Sequence, residues 1–361
     1  MNKEDPMPIP FLLIGSTGDR AGQSLLTWAV AERLKEKGLK VGFMKPFGTA
    51  PVSIDGLWGD PDVLLFKDVL SIQDPIEKIC PYPLRENAFR FEEGAQIKEQ
   101  LTSRARELLA GRDILLIMGS ARIFFDDLSL PVNDVSLVND LGARVVLIHR
   151  YRKNPTTLYS ILSVTSLLKE RLAGIILNRI PQEKMESVRE GVVSPLERNG
   201  VPIVAVLAED SRLSLPTLLD IKKTFKGRVL TGEDRLNQPV GGITVGAGDL
   251  TGDMRLFKRV YNKIVLLKPG DPSAPLKSTD IRPIAGILLT GDREPGKQVL
   301  QTAENAGVPL ILVQADSFEA MERLEHWNWP LTRNDEGKVL LFKDLLDRAG
   351  ATEKLFRSLA L

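Results

Sequence analysis

The stretch Phe11-Leu-Leu-Ile-Gly15-Ser-Thr-Gly18-Asp-Arg20-Ala-Gly22-Gln23-Ser24 constrains the fold more than any other part of the chain. An apolar run gives way to a glycine-punctuated turn, and Leu25, Leu26, Val30 and Leu34 then recur near helical spacing before Lys37. In the order strand, loop, helix, successive backbone N–H groups can turn inward around an anion while the helix N-terminus adds the positive end of its dipole. Loops of this kind normally carry a Lys that reaches the β- and γ-phosphates and a Ser or Thr that binds Mg²⁺. Here Gln23 takes the Lys position, Ser24 keeps the hydroxyl, and the leading Gly of the usual spacing falls on Thr17. The candidate phosphate contacts are Thr17, Gly18, Asp19, Arg20, Ala21, Gly22, Gln23 and Ser24, with Arg20 as a substitute cation. The plainer reading, a strand-to-helix turn without a ligand, uses the same residues.

Apolar runs separated by helical patterns continue for two hundred residues. Lys40–Met44, Asp113–Met118, Arg144–Ile148, Ala173–Leu177 and Val201–Val206 read as strands, with helices between them. That alternation predicts a P-loop-type, doubly wound parallel α/β sheet. Lys45, at the carboxyl end of the second strand, stands on the edge where such sheets bind ligands. Asp60-Pro61-Asp62 reads as a helix start, with Asp60 as N-cap and Pro61 at the first position; Asp62 is also a candidate metal ligand. The central strand ends in Met118, where a P-loop enzyme commonly has an acidic residue beside Mg²⁺.

The polar segment Ala208–Arg212 marks the expected boundary between a first domain, 1–210, and a smaller α/β domain, 211–335, followed by a helical tail over 336–361. With 48 basic and 47 acidic residues, the net charge of +1 favours neither nucleic acid nor a membrane surface as partner. One cysteine, Cys80, and two histidines, His149 and His326, leave no disulfide framework or His/Cys metal cluster. A cytoplasmic location is expected, since no leader or spanning segment is apparent.

Four segments together carry a resemblance: Ser16-Thr17 through Gly22-Gln23-Ser24, Val41–Pro46, Asp62–Leu70, and Gly174-Ile-Ile-Leu-Asn178-Arg179. They resemble the dethiobiotin-synthetase-like P-loop domain, in the version found at the N-terminus of long bacterial phosphotransacetylases. The second half, through Val245-Gly246-Ala247, Gly270-Asp271 and Leu289–Arg293, is similar to the DRTGG domain that follows it there. The resemblance implies ATP or another nucleotide on the loop, with Mg²⁺ on Ser24 and phosphate or substrate on Lys45. It also implies adenine beside Asn178 and the Leu207–Asp210 loop, including Glu209, and a second-domain site near Gly246, Asp271 and Asp292.

Without the loop Lys and the acidic residue at 118, efficient phosphoryl transfer is not expected, since losing one preorganised charge commonly costs ~10²–10³ in rate. A backbone nest survives both changes, so binding with weak or no Mg²⁺ is the expectation. The leading reading is a regulatory or sensing protein without acetyltransferase activity, because the chain stops where the resemblance would place the acyltransferase domain. The alternatives are an active ATP-dependent ligase resembling dethiobiotin synthetase and an interaction scaffold with vestigial sites. Expected partners are a nucleotide or other phosphate-bearing small molecule, a second copy of the chain in a dimer, and a metabolic enzyme.

Overall fold

The structure, a computed structural model, describes residues 10–54, 57–84, 94–120, 123, 132–245, 264–267, 284–326 and 330–361. The chain divides into two units, Met1–Asp210 with Pro330–Leu361, and Ser211–Trp329. In the first unit six strands form one parallel sheet: β1 (Phe11–Ser16), β2 (Val41–Met44), β3 (Ile114–Met118), β4 (Arg144–Arg150), β5 (Leu172–Ile180) and β6 (Ile203–Ala208). Their order is β6-β5-β4-β1-β3-β2. Every residue of β1 and β3 is buried. A parallel sheet covered on both faces demands such uninterrupted apolar strands.

From β1 the chain travels to β2 at one edge, whereas from β4 it travels to β5 on the other side. β1 and β4 are neighbours, paired from Leu12↔Arg144 to Ser16↔Ile148. The crevice between their carboxyl ends is therefore the topological switch point, where open α/β sheets bind ligands. The covering helices are α1 (Gln23–Glu36), α2 (Pro61–Val69), α3 (Gly94–Leu109), α4 (Asp134–Leu141) and α5 (Asn154–Leu168). α2 starts as the sequence predicts, with the Asp62 amide donating to the Asp60 side chain at 3.0 Å and Pro61 in the first turn. The helix expected over 181–198 is instead a succession of short 3₁₀, α and π turns. Pro195 removes an amide donor there, so the backbone widens upstream of it.

The second unit holds a mixed sheet of β7 (Arg228–Thr231), β8 (Ile243–Val245), β9 (Ile264–Leu267), β10 (Gly286–Thr290) and β11 (Leu310–Val313), in the order β7-β11-β10-β9-β8. Only the β7 pairing, with β11, is antiparallel. Thr231 Oγ1 pins this edge, donating to the Val308 carbonyl at 2.9 Å and accepting from the Leu310 amide at 3.2 Å. Its helices are α6 (Leu218–Phe225), opened by a Thr217/Asp220 capping box, α7 (Lys297–Ala306) and α8 (Ser317–His326). Gly246 and Asp271 lie outside the described residues.

The last two helices, α9 (Glu336–Arg348) and α10 (Ala351–Ser358), return to the first unit and pack on α1, β5 and β6. Lys343 Nζ donates to Glu32 at 2.8 Å and to Glu36 at 2.6 Å, and Arg33 pairs with Asp347. Burial opposes the charge of Lys343, but the two carboxylates outweigh it and raise its pKa. With this cover in place, α1 is buried without a break from Leu25 to Ala31. Among the described residues no helix is long and apolar enough to cross a membrane.

Candidate functional site

The loop after β1 is tied to both neighbouring strand ends. Thr17 donates its amide to the Ile148 carbonyl at 3.4 Å, and its hydroxyl lies 2.5 Å from His149 Nδ1. On the β5 side, Asn178 Nδ2 donates to the Ala21 carbonyl at 2.9 Å, and Arg179 Nη1 to the Arg20 carbonyl at 3.2 Å. In a planar trans peptide the carbonyl and the following N–H point opposite ways. The amides of Ala21 and Gly22 are thus turned away from β5. Gly22 has φ +104°, and a Cβ there would lie 3.1 Å from Asn178 Nδ2, so glycine is required twice over. The candidate contacts Thr17 to Ser24 therefore lie on one loop, with Gln23 and Ser24 opening α1.

Gln23 does not project freely. Its Nε2 donates to the Ile14 carbonyl and to the Gly119 carbonyl, each at 2.8 Å, spanning β1 and the end of β3. Met118 is 3% exposed. The carboxylate found at this strand end is Asp134, the first residue of α4, which the sequence reading missed. Asp134 Oδ2 accepts from the Ser120 amide and the Ser120 hydroxyl, each at 2.8 Å. The Asn133-Asp134 pair reads in sequence only as a helix start, so nothing local announced that it closes on β3.

Lys45 and Asp62, expected on a ligand and a metal, are brought together with each other. Lys45 Nζ lies 2.7 Å from Asp60 Oδ1 and 2.6 Å from Asp62 Oδ2, with Lys45 5% and Asp60 1% exposed. Burial pulls the Lys45 pKa down, but Asp62 and Asp60 outweigh it and carry it to about 12. Lys45 offsets one of the two carboxylate charges, which leaves the triad net negative and commits the lysine to both acids.

At the switch point the sheet edge carries arginines. Arg150 ends β4, Arg152 follows it, and Arg179 lies near the end of β5, where the register pairs Arg150 with Asn178. Arg179 donates from Nε and Nη2 to Glu209 Oε1 at 3.1 and 3.0 Å. The Arg152 guanidinium reaches within 3.7 Å of the point where a Cβ on Gly18 would sit. Burial first, then Arg179, with Arg20 and Arg152 adding to it and Glu209 opposing, holds the Arg150 pKa below its usual value. His149 is 3% exposed, between the Thr17 hydroxyl and the Thr157 hydroxyl at 3.2 Å. Burial, then the Arg152 charge, lowers its pKa to about 4. The run His149-Arg150-Tyr151-Arg152 directly after an apolar strand was the signal available in the sequence.

Among the described residues no three His, Cys, Asp or Glu side chains are grouped to hold a metal. Asp62 is salt-bridged, Met118 offers no oxygen, and Asp134 is engaged by Ser120. In the second unit, Asp292 follows β10 with φ +54° and donates its amide to the Val313 carbonyl at 3.0 Å.

The family profile described as an AAA domain matches residues 11–217, and the DRTGG domain profile matches 220–327. The phosphate acetyltransferase of Pseudomonas aeruginosa is 22% identical over 352 residues, covering 90% of this chain and 49% of that protein. The chain spans about half the length of the phosphate acetyltransferases it matches. The ATP-dependent dethiobiotin synthetase of Methanocaldococcus jannaschii is 24% identical over 226 residues, covering 58% of this chain and 99% of that enzyme. Among solved structures, chloroplast FtsY from Physcomitrella patens matches with a TM-score of 0.32 and 16% identity, over 58% of this chain and 63% of that one. With its P-loop sheet, its DRTGG unit and these relatives, the chain belongs to the AAA-domain family of dethiobiotin-synthetase-like P-loop proteins, in the arrangement of the N-terminal region of phosphate acetyltransferases.

Proposed function

We propose that this chain is a regulatory or sensing module whose first unit binds a phosphate-bearing ligand, with a nucleotide first among candidates, and does not turn it over efficiently. The observation that carries this reading is the double hydrogen bond from Gln23 to Ile14 and Gly119. On this reading the loop's main chain serves as the phosphate nest, and the side chain at the Lys position is spent on holding the loop to the sheet. Donors from the main chain survive such a change, but the charge that a transferring phosphoryl group needs does not. The likeness to an ATP-dependent synthetase supports a nucleotide as ligand.

The test is a thermal-stability screen of the full chain with ATP, ADP and pyrophosphate, each with and without Mg²⁺, alongside an assay of phosphate release. A ligand at one hundred times its Kd stabilises by about 2.7 kcal/mol, which reads as a raised melting temperature without Mg²⁺. No shift with any of the three at millimolar concentration would leave the scaffold reading. Mg²⁺-dependent phosphate release that disappears in Ser24→Ala would establish the ligase reading instead.

A further inference from the structure

The switch-point edge assembles positive charge beyond what the phosphate loop uses. Arg179 bonds Glu209 and the Arg20 carbonyl, so its guanidinium bridges the β5 end to the loop. Arg150 lies on the neighbouring strand, one register position from Arg179, and is half-buried. Arg152, exposed, faces Gly18. Arg20 adopts a left-handed conformation, φ +55°, which an L-residue holds at a cost and which here places a cation at the loop's crest. Glu209 is bonded through one oxygen to Arg179, and Asp19 and Asp210, on the same loops, each have an interaction of their own. Like charges gathered on a partly desolvated edge repel one another, and an anion in the crevice relieves that repulsion. Guanidiniums present several fixed donors each, which suits phosphate oxygens better than a single ammonium would.

We propose that Arg20, Arg150, Arg152 and Arg179 form a second anion subsite, beside the phosphate loop at the β4 and β5 ends, that takes a further phosphate group of a multiply phosphorylated small molecule. The inference rests on the reading that the loop itself holds one phosphate. It assigns the charge missing from position 23 to neighbouring strand ends. It also gives the ligand class: an anion with at least two separated phosphates, bound without a metal, because a divalent cation in the crevice would meet the same guanidiniums. A polyphosphate chain alone and a nucleotide carrying one share this chemistry.

The probes are orthophosphate, tripolyphosphate and ATP, titrated calorimetrically into the full chain in EDTA. Variants are Arg152→Gln, the double variant Arg150→Gln/Arg152→Gln, and its counterpart Arg150→Lys/Arg152→Lys, with near-UV circular dichroism confirming that each is folded. Arg179 is left intact because it holds the loop. Tripolyphosphate should bind the wild type more tightly than orthophosphate, and more weakly as salt is raised. The double Gln variant should lose about tenfold or more for tripolyphosphate, a charge-assisted contact's worth, with orthophosphate affinity unchanged. The Lys variant should recover part of the loss. Exposed Arg152→Gln alone should show a smaller loss in the same direction, so the idea stays testable if the double variant does not fold. ATP binding more tightly than tripolyphosphate identifies a nucleotide; the reverse identifies a bare polyphosphate. Unchanged tripolyphosphate affinity in the Gln variants, or equal losses for both probes, would overturn the subsite while leaving the loop as a phosphate site. Absence of binding by every probe to the wild type would overturn both.

Discussion

Gln23 Nε2 stands 2.8 Å from the carbonyl oxygen of Gly119, joining the first turn of α1 to the loop that leaves the central strand β3. The same nitrogen holds Ile14 in β1. Replacing it with an apolar side chain of similar size, Gln23→Leu, should remove the side-chain donor from the Gly119 carbonyl and leave the Ile14 carbonyl with the Gly119 amide alone, at a cost of about 1–3 kcal/mol. Urea unfolding measures this, and a loss below a few tenths would show that the bridge contributes nothing. Gln23→Lys keeps a donor and adds a charge, so it should tighten ATP by about tenfold if the ammonium reaches the ligand. Unaltered affinity would show that the ammonium stays on the carbonyls.

Lys45→Met should cost about 3–5 kcal/mol, because it strands the Asp60 and Asp62 carboxylates where they have little access to water. The triple variant that also carries Asp60→Asn and Asp62→Asn should recover much of that loss. Chemical denaturation of the two proteins decides it: equal stability would mean that the lysine matters for packing rather than for pairing.

Acid should weaken the first unit through His149. Its folded pKa of about 4 lies below the ordinary 6.5, so the unfolded chain takes up the proton first as pH falls. Stability from this group is complete above pH 6.5 and is lost as pH drops toward 4, by about 2 kcal/mol at pH 4.5. Unfolding free energies of wild type and His149→Gln between pH 7 and 4.5 check the sign. Parallel curves would exclude His149 as the source.

Removing residues 330–361 should expose the outer face of α1, including Leu26, Ala29 and Val30, to which Leu355 and Phe356 are adjacent. Aggregation or cooperative loss of the first unit is expected. Replacing 211–329 by a flexible linker while keeping 330–361 should give a folded, soluble first unit. Matching circular dichroism spectra and a cooperative melt would support this, whereas a molten product would show that the second unit is needed.

The architecture was legible because its signals are local and redundant. Each parallel strand carries a continuous apolar run, and Asp60-Pro61 announces α2. What escaped is non-local. Leu25, Leu26, Val30 and Leu34 read as one buried stripe, yet Trp28, Ala29 and Ala31 are buried as well, because α9 and α10 arrive from the far end of the chain. The antiparallel setting of β7 is invisible in four residues of alternating character. At the site, the loop's residues came from one contiguous motif and were found together. Asp134, at the start of α4, and the arginines of the β4 and β5 ends come from separate elements, and only the strand order sets them along one sheet edge. Lys45 and Asp62 were found as charged candidates, but their mutual attraction could not be read without the turn that folds one onto the other.

The cover over α1 also has a consequence in time. Lys343 and its partner Glu32 are 311 residues apart, so α1 is synthesised long before the helices that cover it. At ordinary elongation rates of about 5–20 residues per second, roughly 15 to 60 s separate the two events. Throughout that interval the nascent first unit presents an apolar helix surface with nothing of its own to shield it, while the whole second unit is being made. Nascent chains stalled after residue 330 should therefore be cleaved by protease within α1, or retained by a general chaperone, and those extended past residue 361 should not. Helices α9 and α10 act as a closing step, converting a vulnerable nascent chain into a covered one only after the second unit has been made.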